Sequence, residues 1–265
     1  MPPLDLLFAG RIEAYLRAAS LLPGPCIFVH VPKTAGTSLR AELAALLPPD
    51  ANIYVDYTDT TRSFHARLDD AVARFLAQAA PRGIRFASGH IQGRHVAQIA
   101  QALPGARFIT FLRDPVARVV SDYRHQRSPR HPGHEAFRAR VPTLDAYLDQ
   151  PGEREKAALH LLPWDLLREG DAAACIAHLH QHYACVGVQE MYDLSFRLVA
   201  ALAGAPRAPR LRANVADDSD GGLSVTPAQA ARIRALNPID LALWQHVSDG
   251  LRGVQGRLTN ALVPA

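Results

Sequence analysis

Apolar residues along the chain fall into two alternating patterns. Short continuous runs are rich in β-branched and aromatic residues and read as buried strands. They are Cys26-Ile27-Phe28-Val29-His30, residues 84–88, Arg107-Phe108-Ile109-Thr110-Phe111-Leu112 and Cys185-Val186-Gly187-Val188. Between them, apolar positions recur at three- and four-residue spacing, which predicts helices over 38–47, 69–80, 95–103, 115–126, 143–149, 153–162, 172–182, 191–202, 227–236 and 239–251. Pro48-Pro49 and Pro81 mark helix ends, and Pro115 sits at a first helical position, where a missing N–H costs nothing. Residues 1–20 read as one short amphipathic helix. The stretch 127–142 is polar, basic and rich in Pro and His, and reads as a loop; 204–226 reads as a long irregular segment. Strands alternating with helices predict an α/β domain with a central, mostly parallel sheet flanked by helices on both faces. A single domain over 1–265 accounts for the pattern, with 1–25 as an N-terminal helix and lead-in.

Composition narrows the class. With 48% hydrophobic and 20% charged residues in 265, the chain can bury a sizeable core and is not globally disordered. No apolar run approaches the ~18–20 residues of a membrane helix. Asp5, Arg11, Glu13 and Arg17 interrupt the N-terminus, so it does not read as a signal peptide. Three cysteines, Cys26, Cys175 and Cys185, cannot all pair, which points away from a disulfide framework and toward a reducing, cytoplasmic setting. The net charge is +4, and of the 29 basic residues only Lys33 and Lys156 are lysines. In a chain that avoids lysine, one placed in a loop motif calls for a chemical reason, because lysine supplies a compact point charge that arginine does not.

That loop is His30-Val31-Pro32-Lys33-Thr34-Ala35-Gly36-Thr37-Ser38, between the first strand and the first long helix. A loop feeding a helix N-terminus presents unpaired N–H groups and the positive end of the helix dipole, which suits phosphate or sulfate. Gly36 permits close approach, Thr34, Thr37 and Ser38 add hydroxyls, and Lys33 adds a full charge. The logic is that of a P-loop but the letters are not, since Lys33 precedes Gly36 instead of following the last glycine. Thr37 or Ser38 as a plain helix N-cap is the simpler alternative. A second stretch runs from Arg107 through Arg113-Asp114-Pro115 to Ser121. Arg113 falls at the carboxyl end of a strand, where open α/β sheets bind ligands. Ser121 follows two helical turns later, so the two could share a second phosphate, and Arg118 and Asp122 are spaced to pair along the helix.

Together these stretches resemble the nucleotide-binding signatures of sulfotransferases that use 3′-phosphoadenosine 5′-phosphosulfate (PAPS). The form H-V-P-K-T-A-G-T-S with F-L-R-D-P-V-A-R-V-V-S is most similar to the carbohydrate group, notably heparan sulfate 2-O-sulfotransferases. Phe86-Ala87-Ser88-Gly89-His90-Ile91 resembles that group's catalytic-histidine segment, with Ser88 where those enzymes tend to carry a further histidine. Weaker likeness extends through residues 186–191, 212–215 and 237–244, so it spans about 26–247. The resemblance implies a P-loop-like sulfotransferase fold and sulfuryl transfer from PAPS, leaving PAP, to a hydroxyl of a saccharide or glycolipid-type acceptor. It implies His90 as general base and Lys33 at the leaving oxygen. The backbone of Thr34, Ala35, Gly36, Thr37 and Ser38 would hold the 5′-phosphosulfate, Arg113 and Ser121 would clamp the 3′-phosphate, and Arg212 and Asn214 would close over the nucleotide. No metal is implied. The family's eukaryotic carbohydrate members are membrane-anchored in the Golgi, and this chain reads as a bacterial, cytoplasmic counterpart.

The chemistry asked of such a site is in-line transfer, charge stabilisation at the leaving oxygen and a base for the hydroxyl. Imidazole titrates in the right range. Among 12 histidines, His95 and His125 are the alternatives to His90, and His30 reads as a strand-end residue. A kinase or NTPase using the same loop would need a carboxylate to hold Mg²⁺, and no strand ends in a clear candidate; Asp114 reads as structural. A non-catalytic nucleotide- or glycan-binding protein is the third reading. His178 and His182, one helical turn apart between Cys175 and Cys185, read as a surface helix more than a metal site. The basic residues between Arg124 and Arg140 could line an acceptor groove. Aromatic stacking platforms for nucleic acid are missing there, so no nucleic-acid partner is expected.

Overall fold

The computed structural model describes residues 1–56, 58–59, 61–211 and 224–262. Five strands form one parallel sheet: β1 (Cys26–Val29), β2 (Asp50–Ile53), β3 (Phe86–Gly89), β4 (Arg107–Leu112) and β5 (Tyr183–Val188). Their spatial order is β2-β3-β1-β4-β5. β1, β3 and β5 are buried along their whole length. That is why they read as unbroken apolar runs: helices cover both faces of a parallel sheet. β2 escaped the sequence pattern. Half of its residues Asp50-Ala51-Asn52-Ile53 are polar and only Ile53 is buried, because it is the sheet's edge.

Fourteen α-helices surround the sheet among the described residues. The expected single N-terminal helix is two, α1 (Pro3–Phe8) and α2 (Ile12–Ala18), broken at Gly10 with φ at 72°. α3 (Gly36–Leu46), α4 (Phe64–Ala79) and α5 (Gly93–Ala102) follow β1, β2 and β3. After β4 come α6 (Pro115–Arg127), α7 (His134–Arg140), α8 (Leu144–Leu148), α9 (Lys156–Leu161), α10 (Trp164–Glu169) and α11 (Ala172–His182). α12 (Tyr192–Leu202), α13 (Pro227–Leu236) and α14 (Pro238–Ala261) close the chain.

Two departures have clear causes. The basic stretch expected to be a loop holds α7, because Phe137 packs against both Tyr123 and Tyr147. These rings join Val119, Leu144 and Ile233 in a small second core under α6. α14 runs ten residues beyond the expected end at Leu251, past Gly253 and Gly256. At Gly250 the lost side chain is a packing requirement, since a Cβ there would lie 2.7 Å from the Phe8 ring of α1. The main core gathers both sheet faces with α1, α2, α11, α12 and α14. All three cysteines are buried and unpaired.

Strand order sets the site. The chain leaves β1 toward β2 on one side, and later crosses to β4 on the other. The connections after β1 and β4 therefore diverge, opening a crevice at the carboxyl edge where α/β sheets bind ligands.

Candidate active site

Residues 31–35 lead from β1 to α3. Lys33 and Ala35 lie at φ of 69° and 61°, a region that costs an L-residue about 1–2 kcal/mol. The buried Thr34 between them donates its hydroxyl to the Val31 carbonyl at 2.8 Å and closes the turn. Its proton is thus committed to the loop, not offered to an anion as the sequence suggested. Gly36 is imposed by His30, because a Cβ at position 36 would stand 2.1 Å from His30 Nε2.

Neither Thr37 nor Ser38 caps α3. The N-cap position is Ala35, with no side-chain cap. The N–H groups of Gly36 and Thr37 meet no carbonyl among the described residues. With the positive end of the helix dipole beside them, these N–H groups give the start of α3 the character of an anion-accepting end. Thr37 is exposed there, whereas Ser38 is buried.

Across the crevice, an Arg113 guanidinium nitrogen donates to the Lys33 carbonyl at 3.1 Å, tying the ends of β1 and β4 together. The Lys33 ammonium has no hydrogen-bond or ion-pair partner among the described residues. Burial lowers its pKa; Asp122 opposes that, and the positive charges of Arg113 and Arg130 add to it. Burial likewise lowers the Arg113 pKa, against Glu190 and Asp114. Asp114 is occupied: it caps α6 by accepting from the Ala117 N–H at 2.9 Å, and its own N–H donates to Glu190 Oε1 at 2.9 Å. Ser121 is half-buried on α6, next to Asp122.

His90 follows β3, in register with His30 after β1. Its Nδ1 lies 2.7 Å from the His30 carbonyl. A carbonyl only accepts, so Nδ1 carries the proton and Nε2 keeps its lone pair. The ring is exposed on one side and stacks at 4.2 Å on His30. The surrounding protein lowers its pKa through desolvation, partly offset by the His30 hydrogen bond and by Asp122. His160 of α9 is the third imidazole, 6.3 Å from His90 between ring centres. Its Nδ1 sits 2.6 Å from the Ile91 carbonyl, which fixes the same tautomer, and burial pushes its pKa down to about 3. His30 is driven well below the ordinary range by burial, then by His90, His160, Arg40 and Lys33.

Beneath this edge lies a buried ionic cluster. Arg118, 1% exposed, stands between Asp122 at 3.8 Å and Asp240 at 3.7 Å. Asp122 also takes the Lys156 ammonium at 2.8 Å and the Tyr147 hydroxyl at 3.2 Å, and Lys156 and Tyr147 both contact Glu153. Asp240 accepts from the N–H groups of Ala157 and Ala158 at the start of α9; Glu155 accepts from those of Ile239 and Asp240 at the start of α14. Each helix is therefore capped by a carboxylate from the other's end.

The sheet edge thus brings Lys33, Gly36, Thr37, Arg113 and His90 to one face. The alternative base His95 is spent: it accepts from the Gln92 N–H at 3.0 Å and pairs with Asp69 at 2.8 Å. His125 lies on α6 within the field of Lys33. Arg212 and Asn214 fall outside the described residues. Of the basic stretch, Arg127 binds the carbonyls of Val141 and Pro142, Arg138 binds that of Arg127, and Arg140 lies over Phe137. These three hold α7 in place. His178 and His182 stack at 4.2 Å, and no group of three potential metal ligands forms among the described residues.

No protein-family model and no curated protein matches the sequence. Among solved structures, the chain resembles a sulfotransferase from Alicyclobacillus acidocaldarius. Identity is 15%, with 90% of this chain and 97% of that one covered, at a TM-score of 0.45. It also resembles mouse sulfotransferase SULT7A1 complexed with PAP, at 15% identity, covering 80% of this chain and 62% of that one, with a TM-score of 0.39. Likeness at this level leaves the chemistry to be read from the residues.

Sequence reasoning missed His160 and the partnership of His30 with His90. Neither leaves a local signal, since the contacts join residues 60 to 69 positions apart. The spacing of Arg118 and Asp122 did show their pairing, but not that Lys156 and Asp240 complete it.

Proposed function

We propose that this protein transfers a sulfuryl group from PAPS to an acceptor hydroxyl. The observation that supports it best is a single sheet edge carrying an uncompensated ammonium, an unpaired helix N-terminus and an imidazole fixed as a base. The residues suit a donor with two anionic ends. In this reading Gly36, Thr37 and Lys33 hold one phosphate at the start of α3, and Arg113 and Ser121 hold a second beside α6. PAPS supplies the activated sulfuryl group when bound.

His90 Nε2 takes the proton of the acceptor hydroxyl as its oxygen bonds to sulfur. The bond from sulfur to the bridging oxygen breaks, and its electron pair stays on the phosphate that becomes PAP. Lys33 offsets the charge that develops on that oxygen, which is where preorganised charge contributes most. The helix N-terminus holds the phosphate without reorganising. Asp114, the first carboxylate after β4, is engaged in capping α6, which leaves it unsuited to the magnesium-holding role of a phosphotransferase. The acceptor belongs, in this reading, to the saccharide or glycolipid class.

Calorimetric titration with PAP, ADP and ATP tests the donor side. Wild type is expected to prefer PAP strongly, and Arg113→Ala to lose that preference. Equal affinity for ADP and PAP in the wild type, or no binding of either, overturns the assignment.

A further inference from the structure

His90 lines a cleft of about 260 Å³ at the β2 side of the sheet edge. One wall is apolar: Ile53 and Val55 at and beyond the end of β2, and Phe64 and Leu68 of α4. The other wall belongs to α3, where Thr37 and Arg40 face the same space. The cleft therefore touches the anion loop at Thr37 and the base at His90, and lies where an acceptor must sit between them. Its volume is near or below the small end of the ~300–1,000 Å³ of small-molecule sites, so it holds one ring-sized unit.

Arg40 is the feature this setting leaves unexplained. It forms no ion pair among the described residues, and its Nε is buried without a hydrogen-bond partner. A buried donor without an acceptor is costly unless something supplies one. Its charge reaches the base assembly, since it helps hold His30 neutral. Nε with one terminal nitrogen makes the side-on fork that pairs with both oxygens of a carboxylate. Phe64 is 38% and Tyr54 63% exposed at the rim, large apolar surface otherwise left to water.

We propose that Arg40 is a specificity-determining residue that reads a carboxylate on the acceptor. The acceptor unit then carries three features: a hydroxyl at His90, an apolar ring face against Phe64 and Leu68, and a carboxylate at Arg40. This rests on the cleft being the acceptor side of the sulfuryl-transfer site. A glycan or glycolipid would offer such a unit at one end.

The test compares 4-(hydroxymethyl)benzoate with 4-(hydroxymethyl)benzamide, which match in size and differ in charge. Each is titrated into the protein saturated with PAP and into the protein alone. The benzoate is expected to bind at least about tenfold tighter, the scale of one charge-assisted hydrogen-bonded pair. That preference is expected to fall to about one in Arg40→Gln and to recover in part in Arg40→Lys, with PAP affinity unchanged in both. Equal binding of the two probes, binding of neither, or a preference that survives Arg40→Gln overturns the proposal. Failure of the wild type to bind PAP would instead sink the sulfotransferase reading, while the titration without PAP still reports on Arg40.

Discussion

Lys33 and Lys156, the chain's two lysines, both feel the carboxylate of Asp122, but only Lys156 touches it. Lys156 belongs to a cluster in which Asp122, Glu153, Tyr147 and Arg118 answer one another's charge below the sheet edge. Lys33 stands above it on a strained loop, with like charges beside it and no partner. Residues of one type, within the field of one carboxylate, have been given opposite work. The paired lysine holds α6 against α9; under the proposed function, the unpaired one meets a charge that arrives with a ligand. Spare charge beside an open crevice points to chemistry, and compensated charge in the interior points to architecture.

Exchanging the two roles by mutation is the strongest way to break this contrast. Lys33→Ala is expected to lower turnover by about 10²–10³-fold, as removal of a preorganised charge-stabilising group does, while the thermal midpoint stays within a degree or two. Lys156→Ala is expected to cost up to about 3 kcal/mol, because it strips a partner from a buried carboxylate, with turnover per folded molecule retained. The measurements are kcat with labelled PAPS and chemical denaturation. The contrast fails if Lys33→Ala unfolds the protein or if Lys156→Ala is silent in stability.

The imidazoles sharpen it further. His90→Ala is expected to reduce kcat by about 10²–10⁴-fold, the usual contribution of a general base. His90 is held neutral by burial, with a pKa below its ordinary 6.5. The base form is therefore present above that lowered value, and kcat/KM falls only as pH drops through it. The acid limb is expected below pH 6.5. On the alkaline side, Lys33 must keep its proton, and its lowered pKa brings that limb below 10.5. An acid limb above pH 6.5 in wild type, or one unchanged in a partially active His90 variant, removes His90 from the role.

The pH dependence of folding follows the same sign. His30, His90 and His160 all have folded pKa values below the unfolded 6.5. The unfolded chain binds protons that the folded chain refuses, so stability is full above pH 6.5 and declines as pH falls toward about 3, the value for His160. His160→Gln is expected to make that decline shallower in acid-denaturation curves; an unchanged slope would remove His160 from the account.

The smallest effect expected is at the loop. Gly36→Ala places a Cβ 2.1 Å from His30 Nε2, and is expected to cost about 1–3 kcal/mol through overpacking. It should also displace His90 through the shared His30 contact. Pairing Gly36→Ala with His30→Ala in a double-mutant cycle should recover most of the stability. Additive losses would show that the two positions do not press on each other.

How much of this could be read in the sequence depended on whether each signal was local. β1 and β4 announced themselves because central parallel strands are buried on both faces. Lys33 and Gly36 stood out because a loop, a glycine and a strand end lie within a few residues of each other, whereas His90 drew notice through the resemblance of its segment and not through its position. β2 was not, since an edge strand needs no apolar alternation, and α14 was cut short because Gly253 and Gly256 look like an ending, whereas Val254 and Leu258 carry its buried face on to Leu262. Arg40 sits in a helix that would be helical with any long side chain at that position. Only the three-dimensional arrangement shows that it faces a cleft shared with His90 and forms no ion pair among the described residues.

The reciprocal carboxylate caps of α9 and α14 have a consequence in time. The first turn of α9, which carries His160 toward the site, is closed by Asp240, 83 residues later in the chain than Ala157. On the ribosome, the anion loop, His30 and His90 are made early, and β5 can complete the sheet before α14 exists. His160 must wait. Asp240 is made 83 residues after Ala157, so the half of the crevice built from β1, β3 and β4 is complete well before its third imidazole is held in place.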